Sequence, residues 1–412
     1  MEIRSTTEQD REVFVDTFHA AFGRFPEPTG EDGGGAWWSA VEMDRGVLAV
    51  ADGRPVGTAG AYSFELTLPG ESVVPVAGVT VVGVVPSHRR RGVLTAMMRH
   101  QLAELRERGE YLSVLLASEA VIYRRFGYGP ATYTGRLTVP RERADLAVAR
   151  AAGSGADAGS VEVLKSGECR DILEDVYDRY RRAQPGAISR PHRWWELRAG
   201  QPPISATPRY IALHRDADGN PDGYASYSLS DGVPDAVRRT VTLTVDEIIA
   251  LDDTAYTALA RYALGHDLIT EIVFKHVPAD HPLRWQLADF RAGVAGSGMD
   301  WLWVRLLDIP RALTARGWFA DGELVLDVTD RFLGEPGRYL LTVRDGKAEC
   351  TPTGQEPDLT LDVSDLGSIY LGGTTPSTLV RAGHIHAHHP AAATRADALF
   401  HTDRAPFCLH WF

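Results

Sequence analysis

The hydrophobic positions change period along the chain, and the changes mark its elements. Val13, Phe14, Phe18, Ala21 and Phe22 share one face at helical spacing, with Thr6 or Thr7 available as a cap, which predicts an amphipathic helix. Residues 46–51 read as a strand, Asp52-Gly53 as a hairpin turn and 55–68 as the returning strand. A β-branched run follows, Val79-Thr80-Val81-Val82-Gly83-Val84-Val85. It passes through Pro86-Ser87-His88-Arg89-Arg90-Arg91-Gly92 into a helical face of Leu94, Met97, Met98, Leu102 and Leu105. Residues 111–117 predict another strand and 118–123 a short helix, which Phe126-Gly127-Tyr128-Gly129-Pro130 breaks. Pro26, Pro28 and Gly33-Gly34-Gly35 read as a flexible segment before Trp37-Trp38, and residues 151–160 as a small-residue linker.

The pattern then repeats. Residues 172–182 are predicted helical, 209–214, 224–229 and 241–251 as strands, Asp252-Asp253 as the cap of a helix reaching Leu264, and 269–274 as a strand. From Trp301 to Pro310 the texture changes. Strands are predicted at 323–328, 337–343, 347–351 and 359–363, with Asp345-Gly346 as a hairpin turn, and helices at 364–371, 376–381 and 391–399.

The stretch around Arg89-Arg90-Arg91-Gly92 carries chemistry. At a strand-to-helix turn the first backbone N–H groups of the helix have no intrahelical acceptor, and the helix dipole adds positive character there, so the loop is an anion cradle. Gly92 permits close backbone approach, and the arginines add fixed charge. The corresponding place in the second region, Leu251-Asp252-Asp253-Thr254, is acidic and has no glycine, so it would repel phosphates.

At 412 residues the chain is long enough for several folded units. A formal charge of −12 argues against general nucleic-acid affinity and favours cationic ligands. Hydropathy suggests no membrane span, and the first residues lack the apolar run of a secretory signal. Cys169, Cys350 and Cys408 lie far apart, which fits neither a disulfide framework nor a metal site and suits a reducing cytoplasm. His384, His386, His388 and His389 have no interleaved acidic or cysteine ligand, so a loop is expected there and no metal.

Arg89-Arg90-Arg91-Gly92-Val93-Leu94 resembles the acetyl-CoA pyrophosphate loop of the GNAT superfamily of N-acetyltransferases, with Leu94 where the pattern has a small residue. The order helix, hairpin, strand, loop, helix, strand is also that of the GNAT fold. Over nearly the whole length the chain resembles the Eis (enhanced intracellular survival) family of aminoglycoside N-acetyltransferases. Residues 82–92, residues 117–132 with Ser118-Glu119 and Tyr123, and the terminal Phe412 carry that likeness. It implies an α+β architecture of tandem acetyltransferase domains, the second degenerate, followed by a sterol-carrier-protein-like domain. The expected boundaries are 1–140, 141–297 and 298–412.

The same resemblance implies acetyl-CoA as co-substrate. It would be held by Val82, Gly83, Val84, Arg89, Arg90, Arg91, Gly92, Val93, Leu94, Ser118 and Glu119, with Tyr123 as the acid for the leaving thiolate and Tyr128 as its rival. The carboxylate of Phe412 would accept the amine proton, with Glu119 and His410 as alternatives. Some family members have an acidic residue before the terminal Phe, where this chain has Trp411. The implied substrate is a polycationic small-molecule amine, probed against two other readings: acetylation of protein amines, and a non-catalytic acyl-CoA or lipid sensor. The implied assembly is a homo-oligomer, a hexamer, in the cytoplasm.

Overall fold

The computed structural model describes residues 1–23, 38, 40–147, 159–165, 169–192, 194–195, 209–231, 241–334 and 337–412. The flexible segment expected at Pro26, Pro28 and Gly33–Gly35, with Trp37, lies outside the described residues, as does the linker except Gly159 and Ser160. Among the described residues no helix is long and apolar enough to cross a membrane.

The chain begins with β1 (Glu2–Ser5), α1 (Arg11–Ala21), β2 (Val47–Ala51), β3 (Arg54–Thr67), β4 (Val73–Val84), α2 (Val93–Glu107), β5 (Leu112–Leu116), α3 (Ala120–Tyr123) and β6 (Gly129–Pro130). It continues with β7 (Tyr133–Pro140), β8 (Ser160–Lys165), α4 (Arg170–Ala183), β9 (Tyr210–Arg215), β10 (Pro221–Asp231), β11 (Val241–Ala250), α5 (Asp253–Leu264), β12 (Glu271–Val277), β13 (Val294–Ala295) and β14 (Met299–Asp300). The last part is β15 (Leu302–Leu306), α6 (Ile309–Ala315), β16 (Gly322–Thr329), β17 (Gly337–Arg344), β18 (Lys347–Pro352), β19 (Leu359–Asp362), α7 (Val363–Tyr370), α8 (Pro376–Arg381), β20 (His386–Ala387) and α9 (Pro390–Phe400). Both expected hairpin turns form. Asp52 and Gly53 have φ of 50° and 71°, and Asp345 and Gly346 have 49° and 74°, the left-handed pair that a two-residue turn between twisted strands requires.

Two compact units result. The first holds residues 1–132, 301–408 and 412; the second holds 133–300 and 409–411. In the first, one sheet has the order β1-β2-β3-β4-β5-β15-β6 and another the order β18-β17-β16-β19-β20. In the second unit the order is β13-β7-β12-β11-β10-β9-β8, with β14 also on β7.

The divisions at 132/133 and 300/301 differ from the expected boundaries at 140/141 and 297/298. The cause is strand pairing: β7 pairs with β12 in the second sheet, and β15 returns to pair with β5 and β6 in the first. All five residues of β15 are buried, including Arg305, which is ion-paired to Asp330. A strand covered on both faces shows no alternation, and so the run after Trp301 registers in sequence only as a change of texture.

Candidate active site

The strand-to-helix turn of the first unit leaves the start of α2 without a side-chain cap. Gly92 precedes α2 with φ +81°, a conformation that glycine adopts without steric cost. A Cβ there would meet nothing within 4 Å, so the backbone angle, rather than crowding, calls for glycine at this position. The first turn of α2 contains no acidic residue, and the first bond back into the helix is from Ala96 N to Gly92 O at 3.0 Å. The N–H groups of Val93, Leu94 and Thr95 therefore face outward from the helix start. Behind them Val93, Met97, Met98, Leu102 and Leu105 are buried against the sheet, which fixes the helix in place. Leu94, the departure from the motif, is half-buried and packs its side chain against this core.

β4 supplies the second wall. It pairs with β5 only from Ala77↔Ser113 to Val79↔Leu115 and then runs on to Val84. Immediately after the last pair it is bulged: Gly60 faces Thr80, but Thr58 faces Gly83, and Val81 takes φ +46°. The Thr58 hydroxyl, fully buried, donates to Val81 O at 2.8 Å and holds the bulge. Val85 N bonds to Val56 O on β3, so by alternation the N–H groups of Val82 and Val84 lie on the opposite edge, away from β3. The Val84 carbonyl, on that edge, accepts from Arg89 Nε at 3.2 Å.

A cleft of about 640 Å³ joins these parts. Its lining includes Val82, Gly83, Val84, Arg89, Arg90, Gly92, Val93, Leu94, Ser118, Glu119 and Tyr123. Of the expected loop residues, Arg91 is exposed and does not line the cleft. Arg89 lines it but spends its guanidinium on backbone, donating to Ala21 O at 2.6 Å and to Val84 O. It thus ties the end of α1 to β4, and of the loop arginines Arg90 lines the cleft without that duty. Ala21, Phe22, His88, Thr95, Ile122 and Arg125 complete the lining and were not singled out from sequence. His88 and Thr95 belong to the signature stretch itself, whereas nothing local marks the end of α1 as part of a site.

The two candidate phenols separate cleanly. Tyr123 ends α3 with its side chain largely buried yet lining the cleft. Burial, then the negative charge of Glu119, push its pKa up to about 12, and a hydrogen bond from Ser118 partly offsets this. Tyr128 is fully buried, its hydroxyl 2.7 Å from Ser113 Oγ, outside the cleft lining, and burial raises its pKa too. The rings meet edge-on at 6.2 Å, so Tyr128 backs Tyr123.

At the other end of the chain, Phe412 is not among the residues that line the cleft; it is buried in the first unit, its ring edge-on to Phe64 at 5.1 Å. Gly78 on β4 makes room for this pair of rings, since a Cβ there would run into Phe64 at 2.5 Å and lie 3.1 Å from Phe412. His410 instead packs edge-on against Trp194 at 4.9 Å in the second unit. His19 lies among aromatic rings, 5.2 Å from Trp38. In the histidine tract, His384 accepts from Arg124, His388 bonds Thr360 at 2.9 Å, and His389 bonds Asp358 at 2.7 Å. Among the described residues no group of three or more His, Cys, Asp or Glu is placed to hold a metal ion.

A bulged strand splayed from its parallel neighbour, a glycine-opened helix start and a cleft phenol define a GNAT-type acetyltransferase. Family models for the acetyltransferase (GNAT) domain match residues 2–131 and 186–306, and a sterol carrier protein domain matches 309–409. The N-acetyltransferase Eis of Mycobacterium tuberculosis is 36% identical over 97% of this chain and 96% of its own. An uncharacterized N-acetyltransferase of Streptomyces griseus is 38% identical over 90% of each chain. The crystal structure of Eis1 from Mycobacterium abscessus superposes with a TM-score of 0.86 at 34% identity, covering 100% of both chains. The chain belongs to the Eis family of N-acetyltransferases.

Proposed function

We propose that this enzyme transfers the acetyl group of acetyl-CoA to an amino group of a polycationic small molecule, with aminoglycosides the leading class. The observation that carries the reading is a single cleft lined by the start of α2, the outer edge of β4 and the phenol of Tyr123. The donor set suits acetyl-CoA: N–H groups and Arg90 for its phosphates, and a strand edge for its amide arm. That co-substrate supplies the activated thioester. The N–H groups of Val82 and Val84 orient the arm and meet the oxygen on which negative charge develops. Tyr123 gives its proton to sulfur as the C–S bond breaks, while the carboxylate of Phe412 accepts the proton that the amine loses as the C–N bond forms. The net charge of −12 steers cationic acceptors toward the protein.

Thiol release from acetyl-CoA, measured across aminoglycosides, polyamines and peptides, tests the substrate class. Fast turnover of aminoglycosides is expected. Preference for peptides would assign protein amines instead, and tight acetyl-CoA binding without any turnover would assign a sensor. Tyr123→Phe is expected to lower kcat about 10²-fold with acetyl-CoA affinity unchanged; an unchanged rate removes Tyr123 as the acid. A peptide fused after Phe412 is expected to abolish turnover, and a fully active fusion removes the terminal carboxylate. The hexamer that the family likeness implies is read by light scattering of the purified chain.

Burial favours the neutral phenol of Tyr123 in the fold, which gives a pH dependence. Its stabilising contribution is complete below the unfolded value of about 10. It is lost as the pH rises through the folded value near 12. From about pH 6 to about pH 10 the phenol stays protonated, so this group adds no falling limb to the kcat profile there.

A further inference from the structure

α3 is a single helical turn, Ala120–Tyr123, with Val121 84% exposed. One turn has no stability of its own, so its orientation must come from tertiary contacts. Arg124, the residue after Tyr123, provides one. Its Nη2 donates to the carboxylate of Asp365, in the first turn of α7, and to Nδ1 of His384 at 2.8 Å. His384 itself lies 3.8 Å from that carboxylate. The Asp365 side chain is 2% exposed, and burial raises its pKa against the pull of Arg124. A carboxylate so buried is tolerated when paired and costly when alone, so this contact is held in one geometry.

The surrounding packing leaves little slack. Gly129 lets β6 lie directly on α7, since a Cβ there would run into the Ser364 carbonyl, and Gly367 makes the same allowance toward Val304.

We infer that Asp365 is a positioning residue for acetyl transfer: through Arg124 it fixes the end of α3 and sets the Tyr123 phenol against the departing sulfur. The inference rests on Tyr123 being the acid. It gives the sterol-carrier-like domain a part in catalysis separate from its terminal carboxylate, with the contact made in the middle of the domain.

A double-mutant cycle on the full-length enzyme tests this. Asp365→Asn keeps the side-chain shape and removes the charge. It is expected to lower kcat about tenfold with the Kd of acetyl-CoA unchanged, because misplacing a reacting group costs rate rather than binding. In the Tyr123→Phe background the same substitution is expected to cost nothing further, since there is no phenol left to position. Arg124→Lys, which keeps a cation beside the buried carboxylate but loses the guanidinium contact to both Asp365 and His384, is expected to reproduce both results and serves if Asp365→Asn folds poorly. Equal loss in both backgrounds, or weakened acetyl-CoA binding in step with kcat, would mark the pair as merely structural and overturn the inference. No loss in either background would overturn it as well. Failure of the underlying assignment is separately visible as full activity of Tyr123→Phe alone.

Discussion

β4 leads into α2 in the first unit much as β11 leads into α5 in the second. Both strands pair in parallel with the next one, residues 77–79 with 113–115 and 242–245 with 271–274, and both are bulged just beyond the last pair. Past the bulge they diverge. β4 continues with Val82, Gly83 and Val84 along the cleft. β11 continues with Asp246 and Glu247, both buried and paired: Arg209 Nε and Lys275 Nζ lie 2.8 and 3.7 Å from Asp246, and Arg190 and Tyr224 reach Glu247 at 2.8 and 3.1 Å. The helix starts differ in the same sense. Gly92 opens α2 without a side-chain cap, whereas Asp252 caps α5, its carboxylate accepting from Ala255 N at 2.8 Å, with Asp253 in the first turn. A carboxylate already bound to the helix start occupies the place an anionic ligand would take, and its charge opposes a phosphate. The two copies of the fold thus differ in the chemistry of this junction, through a few residues at one turn.

Gly92→Asp would transplant the second junction's feature into the first and is the most severe challenge. Left-handed strain at φ +81° and a negative charge at the helix start are together expected to weaken acetyl-CoA binding about 10²-fold by calorimetry. A Kd close to wild type would mean that the start of α2 is not the phosphate seat. Thr58→Val leaves the Val81 carbonyl at the bulge without its 2.8 Å partner. It is expected to cost about 1–3 kcal/mol of stability in urea and to slow turnover, with Thr58→Ser restoring both. If turnover survives the loss of stability intact, the bulge does not orient the thioester. The mildest effect is expected of Asp252→Ala, which removes a helix cap for about 1 kcal/mol. Acetyl-CoA should still bind with one equivalent per chain, and a second equivalent would erase the contrast between the two junctions.

Much of this contrast is visible in the residues alone, because it depends on local chemistry. The β-branched run, Gly92 and the arginines describe a strand, a left-handed turn and a helix start with few long-range terms, and Asp252-Asp253 describes a capped helix equally well. The resemblance favours Tyr123 over Tyr128, and the residues alone do not show their different surroundings: one lines the cleft and the other bonds Ser113 in the core. The division of labour among the arginines was hidden too, since Arg89 bonds a carbonyl 68 residues away. Arg124 and Asp365, 241 residues apart, show no pattern in sequence at all.

By itself the sequence determined the element order, both Asp-Gly hairpins, the glycine-opened start of α2 and its acidic counterpart, because each follows from backbone preferences and hydrogen bonding within a few residues. Only the tertiary structure decided that β7 and β15 belong to sheets other than those their positions suggest, that β4 bulges at Val81 under the Thr58 hydroxyl, and that Phe412 packs on Phe64 beside Gly78. Those outcomes depend on pairing and burial between segments far apart in the chain, where many partners satisfy the same local pattern and the packed core selects one.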